Sequence, residues 1–492
     1  MQGSMRNPFP AIWAVSALCL APSALALPDG NTIEFRNCAL TMPGTTRTAE
    51  AQCGFLEVPE NPHEPDGRQI KLHVALAKAT STDAQPDPLF FFAGGPGQAA
   101  SETWVMIRSS LRDIRKSRDI VMIDQRGTGP SNKLDCETDE APDLNAEIDL
   151  AAITEQTRQC AAALDADPRY YTTTHGMQDY DRVRRAMGYD KINLMGVSYG
   201  TRSAQVYLRL FPETVRTVIL DSVVPMQLAL GQEHAPMLDA AVSAVFDDCR
   251  DDATCNRLFS ADQQELQALM DSLRAEPKWI TLDNPTTGEA QELRVTAETL
   301  AVAIRFLSYS SETQAVLPLL VHEALTTGDL SRLASQAILV MSGLNEMIAR
   351  GMELSVMCTE DHPFIDFEAD YSDTLIGNIF LEAIQAQCQV WPREAPPQGF
   401  HEPVASEVPV LLMAGERDPV TPPHYAARVA EHFPNSVTLV ARGQSHSVMR
   451  NVCLQQVATR FIAQGSIEAL DTSCVENIKP APFFTSLLGP EP

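Results

Sequence analysis

Ile192-Asn193-Leu194-Met195-Gly196-Val197-Ser198-Tyr199-Gly200-Thr201 runs from an apolar stretch through a glycine-flanked serine into Thr201 to Leu210, which reads as a helix. A strand, a tight turn and a helix with a serine at the apex form a nucleophile elbow. Glycines on either side remove the Cβ atoms that would block so sharp a turn, and the hydroxyl is left exposed above the sheet. An ordinary Gly-rich turn can show the same spacing, so the flanking chain decides the reading.

Outward from the elbow, short apolar runs alternate with helical patterns. Ile70, Leu72, Val74 and Leu76 alternate as in a half-buried strand. Pro86 and Pro88 break the chain before Leu89-Phe90-Phe91-Phe92, which runs into Ala93-Gly94-Gly95-Pro96-Gly97. Ile120 to Ile123 ends at Asp124-Gln125-Arg126-Gly127-Thr128-Gly129-Pro130-Ser131, a helix is predicted over 177–187, and Val218 to Asp221 follows the elbow helix. Parallel neighbours need crossovers, and helices supply them, so this order predicts a mostly parallel central sheet with helices on both faces. From about Pro225 to His401 the pattern is helical instead, over Met237 to Phe246, Gln263 to Leu273, Ala297 to Leu307 and Thr313 to Leu325. Strands resume at Val408 to Ala414 and Val437 to Val440. The expected organisation is an α/β core, 27–224 and 401–492, interrupted by an inserted helical cap domain, 225–400, with Pro396-Pro397 and Gly399 in the return linker.

The first 26 residues read as a secretory signal peptide: Arg6 is the only charge, Ala11 to Leu20 is apolar, and Ala24 and Ala26 precede Leu27. Export to the periplasm or medium is expected, with no stable membrane insertion, because the apolar core is too short to span a bilayer. Ten of the 11 cysteines lie beyond this segment, at 38, 53, 136, 160, 249, 255, 358, 388, 453 and 474. In an oxidising compartment an even number predicts five disulfides. Sequence does not fix their connectivity; joining neighbours is the economical choice. No clustered Cys/His spacing suggests a metal, and no metal or organic cofactor is expected. The net charge of −27, −28 without Arg6, disfavours nucleic acid and anionic membranes and favours a cationic substrate group. Oligomeric state is not legible.

A serine hydroxyl needs a base to become a nucleophile, and the base needs a partner that fixes its tautomer. The order Ser, acid, His is that of an α/β hydrolase. Asp418, in Gly415-Glu416-Arg417-Asp418-Pro419-Val420-Thr421-Pro422 after the returning strand, is the candidate acid. Glu416, two residues earlier, is the alternative, pointing to solvent or to a substrate ammonium. Of ten histidines, only His446 lies in a loop just beyond the last core strand and after both Ser198 and Asp418. The oxyanion of acyl transfer needs backbone donors, expected from Tyr199 and from the Gly94-Gly95 turn, with Gly95 as the donor.

Taken together, Gly94 to Gln98, Asp124 to Ser131, Gly196 to Thr201 and Gly415 to Pro422 resemble the prolyl and tripeptidyl aminopeptidase family of α/β hydrolases, and its exported tripeptidyl-aminopeptidase-like branch most closely. The resemblance covers essentially the whole mature chain, including Cys453 and Cys474. It implies an α/β-hydrolase fold, a triad of Ser198, Asp418 and His446, oxyanion donors at Gly95 and Tyr199, and a cap shaping a pocket for peptide substrates with a free N-terminus. Two departures, Ala93 in place of histidine and Tyr199 in place of tryptophan, point away from strict prolyl aminopeptidases. A buried substrate ammonium needs a carboxylate. Glu360 and Asp361, beside Cys358, are the cap candidates. The competing expectations are a carboxylesterase, indifferent to a free N-terminus, and a binding protein on a hydrolase scaffold, which would be expected to lack a triad residue.

Overall fold

The computed structural model describes residues 32–136, 145, 147–259 and 262–491. The expected signal segment, 1–26, lies outside the described residues. The sheet contains β1 (Arg36–Thr41), β2 (Thr48–Pro59), β3 (Gln69–Ala77), β4 (Leu89–Phe92), β5 (Ile120–Ile123), β6 (Ile192–Val197) and β7 (Val215–Asp221). A separate hairpin, β8 (Lys278–Asp283) and β9 (Ala290–Val295), intervenes before the sheet resumes with β10 (Val410–Gly415) and β11 (Ser436–Ala441). Strand order is β1-β2-β3-β5-β4-β6-β7-β10-β11. Pairing is antiparallel from β1 to β5 and parallel from β5 to β11.

Successive side chains on a strand face opposite ways, and here both faces are covered. Phe90 and Phe92 enter one apolar cluster with Tyr180, Val183, Tyr207 and Tyr425, from helices Thr173–Ala186, Tyr199–Leu210 and Pro423–Ala430. Leu89 and Phe91 enter the other with Trp104 and Phe461, from helices Ala100–Ile107 and Val452–Gln464. A four-residue strand makes few ladder bonds. Full burial of each phenylalanine, about 1.5–3 kcal/mol, is what holds β4 at the centre.

Register brings the catalytic candidates to one edge. Phe92 pairs with Gly196, Val197 with Asp221, Asp221 with Met413, and Gly415 with Ala441. The loops that follow β4, β6, β7, β10 and β11 therefore open together at the carboxyl ends of the strands, where ligands bind in open α/β sheets.

Between β7 and β10 the chain is mainly helical. The stretch expected as one helix over 313–325 is two, Ser311–Gln314 and Leu317–Thr327; Pro318, in the first turn of the second, has no N–H to continue the first. The β8–β9 hairpin was not legible because each strand is only six residues long and neither shows a strict apolar–polar alternation. Leu238 to Ile338, with Leu375, supply a distinct apolar cluster, whereas residues from Ala349 to Ile365 and from Leu381 to Cys388 pack into a cluster shared with the sheet. All five disulfides join sequence neighbours, as expected: Cys38–Cys53, Cys136–Cys160, Cys249–Cys255, Cys358–Cys388 and Cys453–Cys474. Among the described residues no helix is long and apolar enough to cross a membrane.

Candidate active site

Ser198 follows β6 directly with φ 56° and ψ −127°, a conformation that non-glycine residues rarely adopt. The flanking glycines make it possible: a Cβ on Gly196 would lie 2.2 Å from the Gly200 carbonyl oxygen, and one on Gly200 would lie 2.1 Å from that of Phe92. The Ser198 N–H donates to the Asp221 carbonyl at 3.0 Å, while the Thr201 N–H and hydroxyl donate to the Ser198 carbonyl at 2.8 and 2.6 Å. The elbow is thereby bonded to β7 and to its own helix. Gly94 lies against the serine, since a Cβ there would stand 3.3 Å from Ser198 Cβ. Gly95 follows at φ 104°. Tyr199 opens the helix Tyr199–Leu210, so its backbone N–H is one of the first-turn donors without an intrahelical acceptor.

Asp418 and His446 meet across the ends of β10 and β11. His446 Nδ1 lies 2.8 Å from Asp418 Oδ2 and 3.0 Å from Oδ1. The N–H groups of Val420 and Thr421 donate to Oδ1 at 2.9 and 2.8 Å, and the Thr421 hydroxyl donates to Oδ2 at 2.8 Å. Burial alone would raise the Asp418 carboxyl, but the His446 ring and these donors outweigh it, and its pKa lies below the ordinary value. The reverse holds at His446, where burial is the largest influence and pushes down, but the charge and hydrogen bond of Asp418 together with the charge of Asp221 outweigh it and the pKa is raised. Glu416 is exposed and turned to another task, accepting the Gly443 N–H at 2.7 Å.

The histidine loop is held by β7. Asp221, fully buried, accepts the N–H of Val448 at 2.9 Å and of Met449 at 3.0 Å, and the Ser222 hydroxyl accepts that of Ser447 at 2.7 Å. Its carbonyl binds the elbow and its carboxylate the His446 loop, so Asp221 couples the two halves of the site. Sequence reading passed over it as a strand terminus. A carboxylate closing an otherwise apolar strand, next in the sheet to the elbow strand, was the available signal. Thr421 was missed for want of any pattern beyond its distance of three residues from Asp418.

Glu360 and Asp361, the cap candidates for a substrate ammonium, are held by partners within the chain. Both lie in a π-helical turn, Met357–Asp361, and both are fully buried. Asp361 Oδ1 accepts from Arg202 Nη1 at 2.7 Å and from the Leu230 N–H at 2.8 Å, so its charge is already matched by a buried guanidinium. Glu360 receives the Thr173 N–H at 2.6 Å and the Thr173 hydroxyl at 2.7 Å. That hydroxyl lies 2.6 Å from the Tyr199 phenol, to which Gln125 Nε2 donates at 3.3 Å. Burial pushes the Glu360 carboxyl up to about 8, against the bonds from Thr173. Glu360 thus braces Tyr199 through Thr173, and Asp361 ties the cap turn to Arg202 through Oδ1, while its Oδ2 is buried with no hydrogen-bond partner among the described residues. Among the described residues no group of three or more His, Cys, Asp or Glu side chains is placed to hold a metal ion.

A serine elbow on a mostly parallel sheet, with an Asp–His pair on the two strands beyond it, defines an α/β hydrolase. Comparison with known proteins narrows the class. Residues 373–474 match a family described as TAP-like protein. The chain is 25% identical over 493 residues to Serine protease Hip1 of Mycobacterium tuberculosis (strain ATCC 25618 / H37Rv), covering 90% of this chain and 91% of the relative. It is 25% identical over 483 residues to Tripeptidyl aminopeptidase of Streptomyces coelicolor, covering 88% and 84%. Among solved structures, proline iminopeptidase of Mycobacterium smegmatis aligns over 84% of this chain and 98% of its own with 16% identity and a TM-score of 0.39, a likeness on which nothing further rests. Fold and site are those of a serine α/β hydrolase, and residues 373–474 are similar to the TAP-like family.

Proposed function

We propose that this is an exported serine aminopeptidase that cleaves peptide bonds near a free substrate N-terminus. The observation that carries the chemistry is the Asp418–His446 pair, tethered through Asp221 to the strained Ser198 elbow. Ser198 Oγ attacks the scissile carbonyl, and His446 takes its proton while Asp418 holds Nδ1 protonated and stabilises the imidazolium. Backbone N–H groups of Gly95 and Tyr199 receive the developing oxyanion. His446 returns the proton to the leaving amine, and water then releases the acyl group by the same route in reverse. Export is supported by the leader pattern of residues 1–26 and by the five disulfides.

The aminopeptidase step draws its support from the relative named Tripeptidyl aminopeptidase. One observation favours a second reading, a carboxylesterase: the cap carboxylates expected to bind an ammonium already have internal partners. A matched panel separates the two, with Pro-, Ala- and Ala-Ala-Pro-anilides, their N-acetylated forms and short acyl esters, and Ser198→Ala as control. Anilide cleavage that requires a free amine supports the aminopeptidase. Ester cleavage indifferent to acetylation, without anilide cleavage, overturns it.

A further inference from the structure

Arg305 lies on the cap helix Ala297–Leu307, close enough to His446 for its charge to push that ring's pKa down. Tyr309 links the two: its ring packs edge-on against the His446 ring at 5.1 Å, and its hydroxyl lies 3.4 Å from Arg305 Nη2. The same nitrogen is 3.2 Å from His234 Nδ1. The guanidinium sits over the rings of Phe380 and Tyr309, at 5.6 and 6.0 Å. Burial, with the charges of Arg305 and His446, holds His234 well below its usual value, so it meets Arg305 as a neutral acceptor. Every partner of this cation is therefore uncharged, and Nη1 is buried with no hydrogen-bond partner among the described residues. The acid beside His234, Glu233, accepts from the Tyr425 hydroxyl instead. In a chain with 64 acidic and 37 basic residues, Arg305 has no carboxylate partner among the described residues, although it lies near enough to His446 for its charge to act there.

The site is rigidly built. The Ser308 carbonyl, at the end of the Arg305 helix, accepts from the Ser445 hydroxyl and from Gln314 Nε2 at 2.9 Å. Gln314 Nε2 also donates to the Arg417 carbonyl at 2.9 Å. The helix end is thus bonded to both the acid loop and the histidine loop. A guanidinium fixed in this way, among aromatic rings and short of one acceptor, matches a carboxylate in charge and in planar geometry.

We propose that Arg305 and Tyr309 form a carboxylate-binding subsite beside His446, so that the enzyme selects substrates carrying a carboxylate close to the scissile bond. This rests on the serine-hydrolase chemistry proposed above and names its substrate class. The carboxylate can be the C-terminus of a short peptide or an acidic side chain.

The test compares kcat/KM for matched pairs. These are Ala-Ala-Ala-Ala as free acid and as C-terminal amide, peptide amides with Glu or Gln on the leaving side, peptide amides with Glu or Gln on the acyl side, and 4-nitrophenyl esters of glutaric and pentanoic acids. A charge-assisted pair predicts a preference of about tenfold or more for the carboxylate member of one pair. Arg305→Gln should bring that ratio to about one, and Arg305→Lys should leave it intermediate. The responding pair identifies the source of the carboxylate. A ratio near one for every pair in the wild type, or a preference that survives R305Q, overturns the proposal. Should R305Q not be recovered folded, an undiminished ratio in R305K overturns it equally. If all peptides are refused while esters turn over, the aminopeptidase reading fails and the ester pair alone decides the role of Arg305.

Discussion

Asp221→Asn removes one charge and one acceptor at the junction between the elbow and the histidine loop. Burial pushes the Asp221 carboxyl up to about 6, against the bonds from Val448 and Met449. Compared with an ordinary aspartate, the ionised group therefore destabilises the fold by on the order of 3 kcal/mol at neutral pH. Because the folded value is raised, this penalty is complete above pH of about 6 and disappears as pH falls toward the unfolded value near 4. Asparagine carries no such penalty, but it turns an amide NH2 toward a backbone N–H and forfeits one acceptor, a loss of about 1–3 kcal/mol. The two effects nearly cancel at pH 7.5, where urea unfolding should find D221N within about 2 kcal/mol of wild type. At pH 4.5 wild type recovers about 2 kcal/mol of its deficit and D221N does not, so the difference should shift by about 2 kcal/mol in favour of wild type, which becomes equal or more stable by up to about 2 kcal/mol. Activity should separate from stability. A displacement of the His446 loop by about 1 Å is expected to lower kcat by roughly 10²-fold, with KM little changed. Wild-type kcat in D221N, or a stability difference that does not vary with pH between 4.5 and 7.5, would refute the reasoning.

Three further outcomes are expected. Asp418→Asn should lower kcat by about 10³–10⁴-fold, and the acid limb of kcat/KM should move to lower pH because the charge that raises His446 is gone; a pH–rate profile reads both effects. Gly200→Ala places a Cβ 2.1 Å from the Phe92 carbonyl oxygen, and soluble, cooperatively unfolding protein should not be recovered; circular dichroism and thermal melting check this. Replacing Cys358 and Cys388 together by serine should lower stability by about 2–4 kcal/mol in urea titration, since that bridge closes a 30-residue separation and borders the π-helical turn that carries Glu360 and Asp361.

The parts of the molecule governed by local pattern were legible in the sequence. The run of three phenylalanines reads as a buried strand because only a strand covered on both faces can bury them all. The serine between Gly196 and Gly200 reads as an elbow because few other structures require both Cβ atoms to be absent. Chain order and the ends of two predicted strands were enough to bring Asp418 and His446 forward from among many acids and histidines, and the structure joins their side chains. Neighbouring cysteines were the simplest pairing, and they pair so. What was hidden depends on long-range contact. Nothing around Glu360 in sequence reveals Thr173, 187 residues away, and nothing around Asp361 reveals Arg202, so two acids that read as available are enclosed. The role of Asp221 likewise comes from a loop more than 200 residues downstream. Nor does anything in the sequence say that the helices Arg350–Val356 and Ile379–Cys388, within the expected cap, share an apolar cluster with the sheet.

The central claim is that Ser198 is the nucleophile activated by His446. The most direct measurement is intact-mass and peptide-mapping analysis of the mature protein after brief treatment with a fluorophosphonate, alongside His446→Ala. The account predicts one adduct, on the peptide containing Ser198, and labelling slowed by orders of magnitude in the histidine variant. An unmodified protein, an adduct on another serine such as Ser222 or Ser445, or labelling at an unchanged rate in His446→Ala would contradict it.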